Sequence, residues 1–360
     1  MSFGKIYLIR ITYVLLIMTA ILGCSQTIVK GNMNWISKYT FYDLYKDRID
    51  LGPADFLPTD DARFSTFKFL DENTVFLAGS IPKRDSVLGQ NNFGFIFISK
   101  DKGKRFHQIL FPEENVTSIT LSTKYSLVET NSNGYSPKGK NVIHLIDNET
   151  FKFQKIDEYN SNDKISYKQF NGHYVIYSKD NEKNVFDILT KEMYPLPSDV
   201  TEKNYILNDS GVDVTFLKDG NKIVAYNAIT KSYKVLRHLK DSYSTIMNTF
   251  GEVTLGKANL LNTSGKVYNL DEKELFTISP KEEKGLYRYK NFASKVTGNM
   301  PKFEMRYSYD YGKTWKHYST ENFITTSVAK GYYKDKYMVL DVGFYDKNNN
   351  NHIMIGEFEK

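Results

Sequence analysis

The chain has 360 residues, with 27 Tyr, 24 Phe and 25% charged side chains, a composition suited to a globular body of pleated, half-buried strands. Its formal charge of +6 (48 basic against 42 acidic) falls to +4 without the leader cations Lys5 and Arg10, and the basic residues form no recognisable cluster, which argues against a nucleic-acid binder. The single cysteine, Cys24, excludes an internal disulfide.

Lys5 and Arg10 precede the apolar run Ile11–Leu22, which is short for a bilayer span and is followed by Gly23-Cys24. This pattern predicts a signal peptide over 1–23. The polar stretch that follows, 24–34, reads as a tether. Trp35–Lys46 alternates apolar and polar residues and reads as an isolated strand, with an irregular connection over 47–61 that contains Pro53 and Pro58.

From Arg63 the chain repeats at about 40 residues, the signature of stacked supersecondary units. Each unit ends in a hairpin: Phe95–Phe111, Val142–Ile156, Asn184–Leu196, Lys222–Arg237, Lys266–Ile278 and Glu304–Tyr318. Three of the turns echo one another: Asp147-Asn148-Glu149-Thr150, Asp187-Ile188-Leu189-Thr190 and Asn227-Ala228-Ile229-Thr230. Two more strand-like runs precede each hairpin. The last unit supplies only three strands, Thr325–Ala329, Tyr332–Tyr345 and His352–Glu359, and the orphan strand over 35–46 is available as its fourth. The expected fold is an all-β β-propeller over 35–360 with seven four-stranded blades, closed by this N-terminal strand; six blades with an extra hairpin is the alternative.

Two segments share the pattern Ser-x-Asp-x-Gly-x-x-aromatic: Ser99, Asp101, Gly103 and Phe106, then Ser308, Asp310, Gly312 and Trp315, the second also carrying Thr314. They resemble the Asp-box (bacterial neuraminidase, BNR) repeat, which joins the outer two strands of a propeller blade. The physical basis is a carboxylate that binds amides of its own turn, a glycine free to take positive φ, and an aromatic that covers the turn. Ile21-Leu22-Gly23-Cys24 resembles a bacterial lipobox, which implies acylation of Cys24 and a lipid-anchored, periplasm-facing envelope protein.

The Asp-box resemblance raises the possibility of sialidase chemistry, which needs three arginines, a Tyr–Glu nucleophile pair, an aspartate acid/base and an Arg-x-Pro motif. Ile81-Pro82-Lys83-Arg84 does not supply that motif, and Arg105, Arg237 and Arg306 fall at hairpin ends. The six histidines show no metal-ligand spacing, and no nucleophile elbow, phosphate loop or dinucleotide fingerprint occurs. No cofactor, metal or catalytic residue is therefore expected, and the chain reads as a non-enzymatic binding protein.

In Asp-box propellers the boxes face away from the ligand site. That places the working face on the loops Ile81–Asn92, Asn131–Lys140 and Ala293–Lys302, with Lys83, Arg84, Tyr135, Lys138, Lys140, Lys295 and Lys302 as a basic rim for an acidic protein surface or anionic glycan. In export, anchoring and size the chain resembles envelope immunity lipoproteins that neutralise type VI secretion lipase effectors. That resemblance implies a secreted lipase as partner. The other readings are a glycan-binding protein, a membrane-complex assembly factor and a divergent sialidase.

Overall fold

The computed structural model describes residues 29–40, 63–82, 92–101, 106–132, 139–180, 182–201, 204–208, 211–248, 251–257, 265–279, 284–298, 303–320, 328–341 and 352–360. Two N-terminal strands come first, β1 (Val29–Lys30) and β2 (Met33–Thr40). A meander follows of β3 (Arg63–Phe69), β4 (Val75–Pro82), β5 (Asn92–Ser99) and β6 (His107–Phe111). The next contains β7 (Glu114–Leu121), β8 (Tyr125–Ser132), β9 (Lys140–Asp147) and β10 (Phe153–Asn160). The third contains β11 (Ile165–Asn171), β12 (Tyr174–Lys179), β13 (Glu182–Asp187) and β14 (Met193–Pro195). The fourth contains β15 (Tyr205–Leu207), β16 (Asp213–Lys218), β17 (Lys222–Asn227) and β18 (Ser232–His238). The fifth contains β19 (Thr245–Met247), β20 (Thr254–Gly256), β21 (Gly265–Tyr268) and β22 (Glu274–Ile278). The sixth contains β23 (Leu286–Tyr289), β24 (Phe292–Gly298), β25 (Phe303–Ser308) and β26 (Lys316–Thr320). The chain closes with β27 (Val328–Tyr333), β28 (Lys336–Asp341) and β29 (His352–Phe358).

These strands pair into seven sheets among the described residues. Five are plain antiparallel meanders of four strands. In the sheet of β27–β29, β2 pairs antiparallel with β29 as the fourth strand, Met33 opposite Phe358 and Thr40 opposite His352. In the sheet of β23–β26, β1 adds a fifth strand, parallel to β26.

Middle strands are buried on both faces, so they read as continuous apolar runs. Phe76, Leu77 and Ala78 of β4 and Phe95, Ile96 and Phe97 of β5 are all fully buried. Each sheet packs face to face on the next in chain order. Phe76, Ile96 and Ile98 meet Ile119, Val128 and Ile146 between the first two meanders. Leu127 and Ile143 meet Val175 and Phe186 between the second and third, and Ile176 and Val185 meet Val214 and Phe216 between the third and fourth. Further round, Ile223 packs with Leu255, and the Phe276 ring stacks on Tyr311 at 5.7 Å. The Tyr287 ring stacks on Tyr332 at 4.1 Å, and β27 lies against β3, which returns the packing to the first meander. A ring of twisted, radially packed four-stranded sheets is a β-propeller.

The hairpins read from sequence coincide with β5–β6, β9–β10, β13–β14, β17–β18, β21–β22 and β25–β26. The N-terminal strand begins two residues before the expected Trp35, and 41–46 lies outside the described residues. The tether expectation for 24–34 needs correction from Val29 onward. Val29 and Lys30 pair with Lys316 and His317, the Gly31 amide donates to the His317 carbonyl at 2.6 Å, and the Tyr307 hydroxyl accepts the Asn32 amide at 3.0 Å. An open sheet edge offers unpaired backbone groups, and a polar segment can satisfy them without apolar periodicity. The expected loop over 293–302 is likewise mostly strand, since β24 extends to Gly298.

Candidate functional site

Five corners between third and fourth strands share one chemistry, an Asp or Asn side chain tied by hydrogen bonds within its own turn. At the second Ser-x-Asp-x-Gly segment, Ser308 Oγ donates to Asp310 Oδ1 at 2.7 Å and accepts the Asp310 and Gly312 amides at 3.2 and 2.9 Å. Asp310 then accepts the Thr314 amide on Oδ1 at 2.8 Å and the Thr314 hydroxyl on Oδ2 at 2.6 Å. Gly312 takes φ +89°, and a Cβ there would press on the Trp315 ring at 3.1 Å. Partial burial of Asp310 opposes its ionisation, but the bonds from Thr314, Ser308 and the Lys313 amide outweigh it and hold the carboxyl below its usual range. At the first segment Ser99 Oγ donates to Asp101 Oδ1 at 2.9 Å and Phe106 is buried.

The three echoing turns use the same device in shorter form. Asp147 Oδ1 accepts the Glu149 and Thr150 amides at 2.9 and 2.8 Å, Asp187 Oδ1 those of Leu189 and Thr190 at 2.9 and 3.2 Å, and Asn227 Oδ1 that of Thr230 at 2.8 Å. Each turn then passes through positive φ, at Phe151 (60°), Lys191 (66°) and Lys231 (54°).

Where the sixth and last sheets meet, three turns surround a cavity of about 510 Å³. The β23–β24 turn supplies Tyr289, Lys290, Asn291 and Phe292, the β25–β26 corner supplies Ser308, Tyr309, Asp310, Thr314 and Lys316, and the β27–β28 turn supplies Lys334 and Asp335. Lys360 completes the wall. First-to-second and third-to-fourth connections of a meander lie at the same end of a blade, so this cavity opens at the end that carries the Asp corners.

Four lysines face two acids here, and both acids are engaged. Asp310 holds its corner, and Asp335 lies 3.9 Å from the Lys360 ammonium. Lys290 and Lys360 sit over the Tyr289 and Tyr309 rings, each 5.7 Å from the centroid. Tyr309 donates to the Phe358 carbonyl at 3.2 Å, and burial pushes its pKa well up, so it stays a neutral donor. Lysines braced on aromatic faces around a concave floor can receive an anion. A second cavity of about 440 Å³ lies between Glu182–Asn184 and Pro195–Ser198, at the opposite end of the third sheet.

The sequence-derived rim is only partly described. Lys83, Arg84, Tyr135, Lys138 and Lys302 lie outside the described residues, as do Cys24 and Gly103. Lys140 opens β9 and pairs with Glu158, and Lys295 sits within β24 opposite Leu286 and Arg306, so neither belongs to a long loop. The cavity lysines were missed because they come from turns scattered between 290 and 360. Their one shared signal is the pair Tyr289-Lys290-Asn291 and Tyr333-Lys334-Asp335, in which each lysine takes positive φ (50° and 53°).

Other titratable groups are tied into the sheets. Glu114 Oε2 accepts the Thr130 hydroxyl at 2.5 Å and lies 2.9 Å from His144 Nε2; Tyr159 donates to Glu129 and Tyr167 to Asp157. Arg306 lies over the Trp315 ring at 4.3 Å, Arg288 donates to the Tyr311 carbonyl at 3.0 Å, and Arg237 pairs with Asp271 at 3.0 Å, so each of these arginines is engaged at a blade corner. Among the described residues no group of three His, Cys, Asp or Glu is placed to hold a metal ion.

No protein-family model matches this chain, and no curated protein matches it. Among solved structures it is similar to YCF48 bound to D1 peptide, at 12% identity and TM-score 0.46, over 92% of this chain and 100% of that one. It is also similar to the Pyrococcus horikoshii acylaminoacyl peptidase, at 10% identity and TM-score 0.43, over 78% of this chain and 49% of that one. A fragment of HIRA (644–1017) aligns at 10% identity and TM-score 0.32, over 47% and 53%.

Proposed function

We propose that this chain is a non-enzymatic, protein-binding propeller in which the seven sheets serve as blades, and that an acidic segment of the partner seats in the lysine-lined cavity. The carrying observation is the convergence of Lys290, Lys316, Lys334 and Lys360, against the two acids Asp310 and Asp335, on one aromatic-floored cavity, with Asp335 facing Lys360. The volume suits one or two side chains or a chain terminus, and the cations select carboxylates. Titration calorimetry with a synthetic Asp/Glu-rich peptide tests this. Binding should weaken with salt and be lost in Lys290→Glu/Lys334→Glu; equal binding of a Lys-rich peptide would defeat the reading.

The finer reading places the protein at a bacterial envelope membrane through a lipid on Cys24, as an immunity protein against a secreted lipase. The leader and the lipobox-like Ile21–Cys24 support the anchoring. Cys24→Ser should move the protein from the membrane to the soluble fraction. Co-purification with a lipase encoded nearby, and inhibition of that lipase, test the partner.

A further inference from the structure

The exposed large apolar side chains of the described residues are Phe153, Leu189, Met193, Ile229, Tyr233, Val235 and Leu236, all on outer strands or corners of three consecutive sheets. Three of them fall on β18. This strand is exposed along all seven residues, and no further strand pairs with it among the described residues. The outer strand β14 has only three residues and ends at Pro195, and β22 buries two of its five. At about 3.4 Å per residue β18 offers an edge of about 24 Å whose outward N–H and C=O groups can pair with a strand.

We propose that β18 is a docking edge for an extended segment of a partner protein in which apolar and acidic side chains alternate. Its two faces specify that chemistry. Tyr233 and Val235 lie opposite Tyr226 and Val224, buried residues of the core between the third and fourth sheets, so they continue its apolar face outward. Lys234 and Arg237 lie opposite Ala225 and Ile223; β18 itself contains no acid, and Arg237 also pairs with Asp271 of the fifth sheet at 3.0 Å. The ladder shifts register between Val235 and Arg237, which leaves Leu236 unpaired at the edge. An incoming strand therefore meets Tyr233 and Val235 on one face, with the Lys218 ammonium 4.9 Å from the Tyr233 ring centroid, and Lys234 and Arg237 on the other. A second copy fits poorly, because pairing β18 with itself brings Lys234 and Arg237 of both copies together. The same chain shows that an outer edge accepts an added strand, since β1 pairs along β26.

The edge is separate from the lysine-lined cavity, and the test keeps them apart. A fluorescent peptide alternating valine and glutamate is titrated into the full-length chain, beside a valine–lysine peptide and a scrambled valine–glutamate peptide. The alternating acidic peptide should bind at least about tenfold tighter than either control and slow hydrogen exchange at 232–238. Lys234→Glu/Arg237→Glu should invert the preference toward the lysine peptide, while Lys290→Glu/Lys334→Glu leaves it unchanged. The proposal is overturned by equal binding of the scrambled peptide, by loss of binding in the cavity variant, or by peptide-free dimers protected at 232–238.

Discussion

Along the rim of the ring, β26 is covered by two residues of β1, whereas β18 ends its sheet in solvent over seven. What separates them is an anchor beneath the edge. Tyr307 of β25 is fully buried, and its hydroxyl accepts the Asn32 amide at 3.0 Å and faces the Asn32 and Glu359 carbonyls at 3.1 and 3.0 Å. It thereby clamps the chain between β1 and β2 to the end of β29. Beneath β18, Tyr226 is buried at the matching depth but contacts Tyr233 of β18 itself, with ring centroids 4.9 Å apart. Both residues are tyrosines at the same place in the third strand, and what differs is the partner: the Tyr307 hydroxyl holds backbone of the added segment, whereas the Tyr226 ring packs on its own outer strand.

The largest effect should come from removing the anchor. Tyr307→Ala empties a site shared with Met33, Phe292, Met305 and Phe358 and should cost about 3–5 kcal/mol in urea denaturation. Tyr233→Ala on the open edge should stay within about 1 kcal/mol, and a comparable loss at both would erase the distinction. Gly31→Ala gives the steric version, since a Cβ there would meet the Tyr307 ring at 2.5 Å. We expect about 1–3 kcal/mol from the displacement. Tyr307→Phe keeps the packing and removes the hydroxyl, at about 1–2 kcal/mol. Its sharper readout is hydrogen exchange, in which the Gly31 amide, bonded to His317, should lose protection while the β17–β18 ladder is unchanged.

These regions also differ in how far sequence reveals them. Repeat length, hairpins and corners are legible because an Asp or Asn followed by Thr three residues on reports a local turn, and buried middle strands report themselves as apolar runs. β1 is not legible. Two strand residues are too few to carry a periodicity, and their partners Lys316 and His317 lie far along the chain. The cavity is equally diffuse, because its lysines come from three turns of two sheets and the C-terminus. Exposure of β18 was hidden too: the hairpin Lys222–Arg237 reads from sequence, but only the assembled sheet shows that no further strand pairs with its outer strand among the described residues.

The smallest effect separates the two edges by titration. The corner joining β25 to β26 is held by Asp310, whereas the corner joining β17 to β18 is held by Asn227, which cannot ionise. Because the folded-state pKa of Asp310 is lowered, its contribution is fully present above the unfolded value of about 3.9 and is lost as pH falls through the lower folded value. As pH falls through that lowered value the Thr314 amide, bonded to Asp310 Oδ1, should therefore lose exchange protection, corrected for intrinsic rates, while the Thr230 amide, bonded to Asn227 Oδ1, holds its own. Asp147 gives an internal check. Its carboxyl is lowered chiefly by the Thr150 amide, so that amide should follow Thr314. Asp310→Asn should abolish the acid response at Thr314 and leave that at Thr150. Parallel loss at Thr230 would mean that acid loosens the ring as a whole and that the corner carboxylates play no separate part.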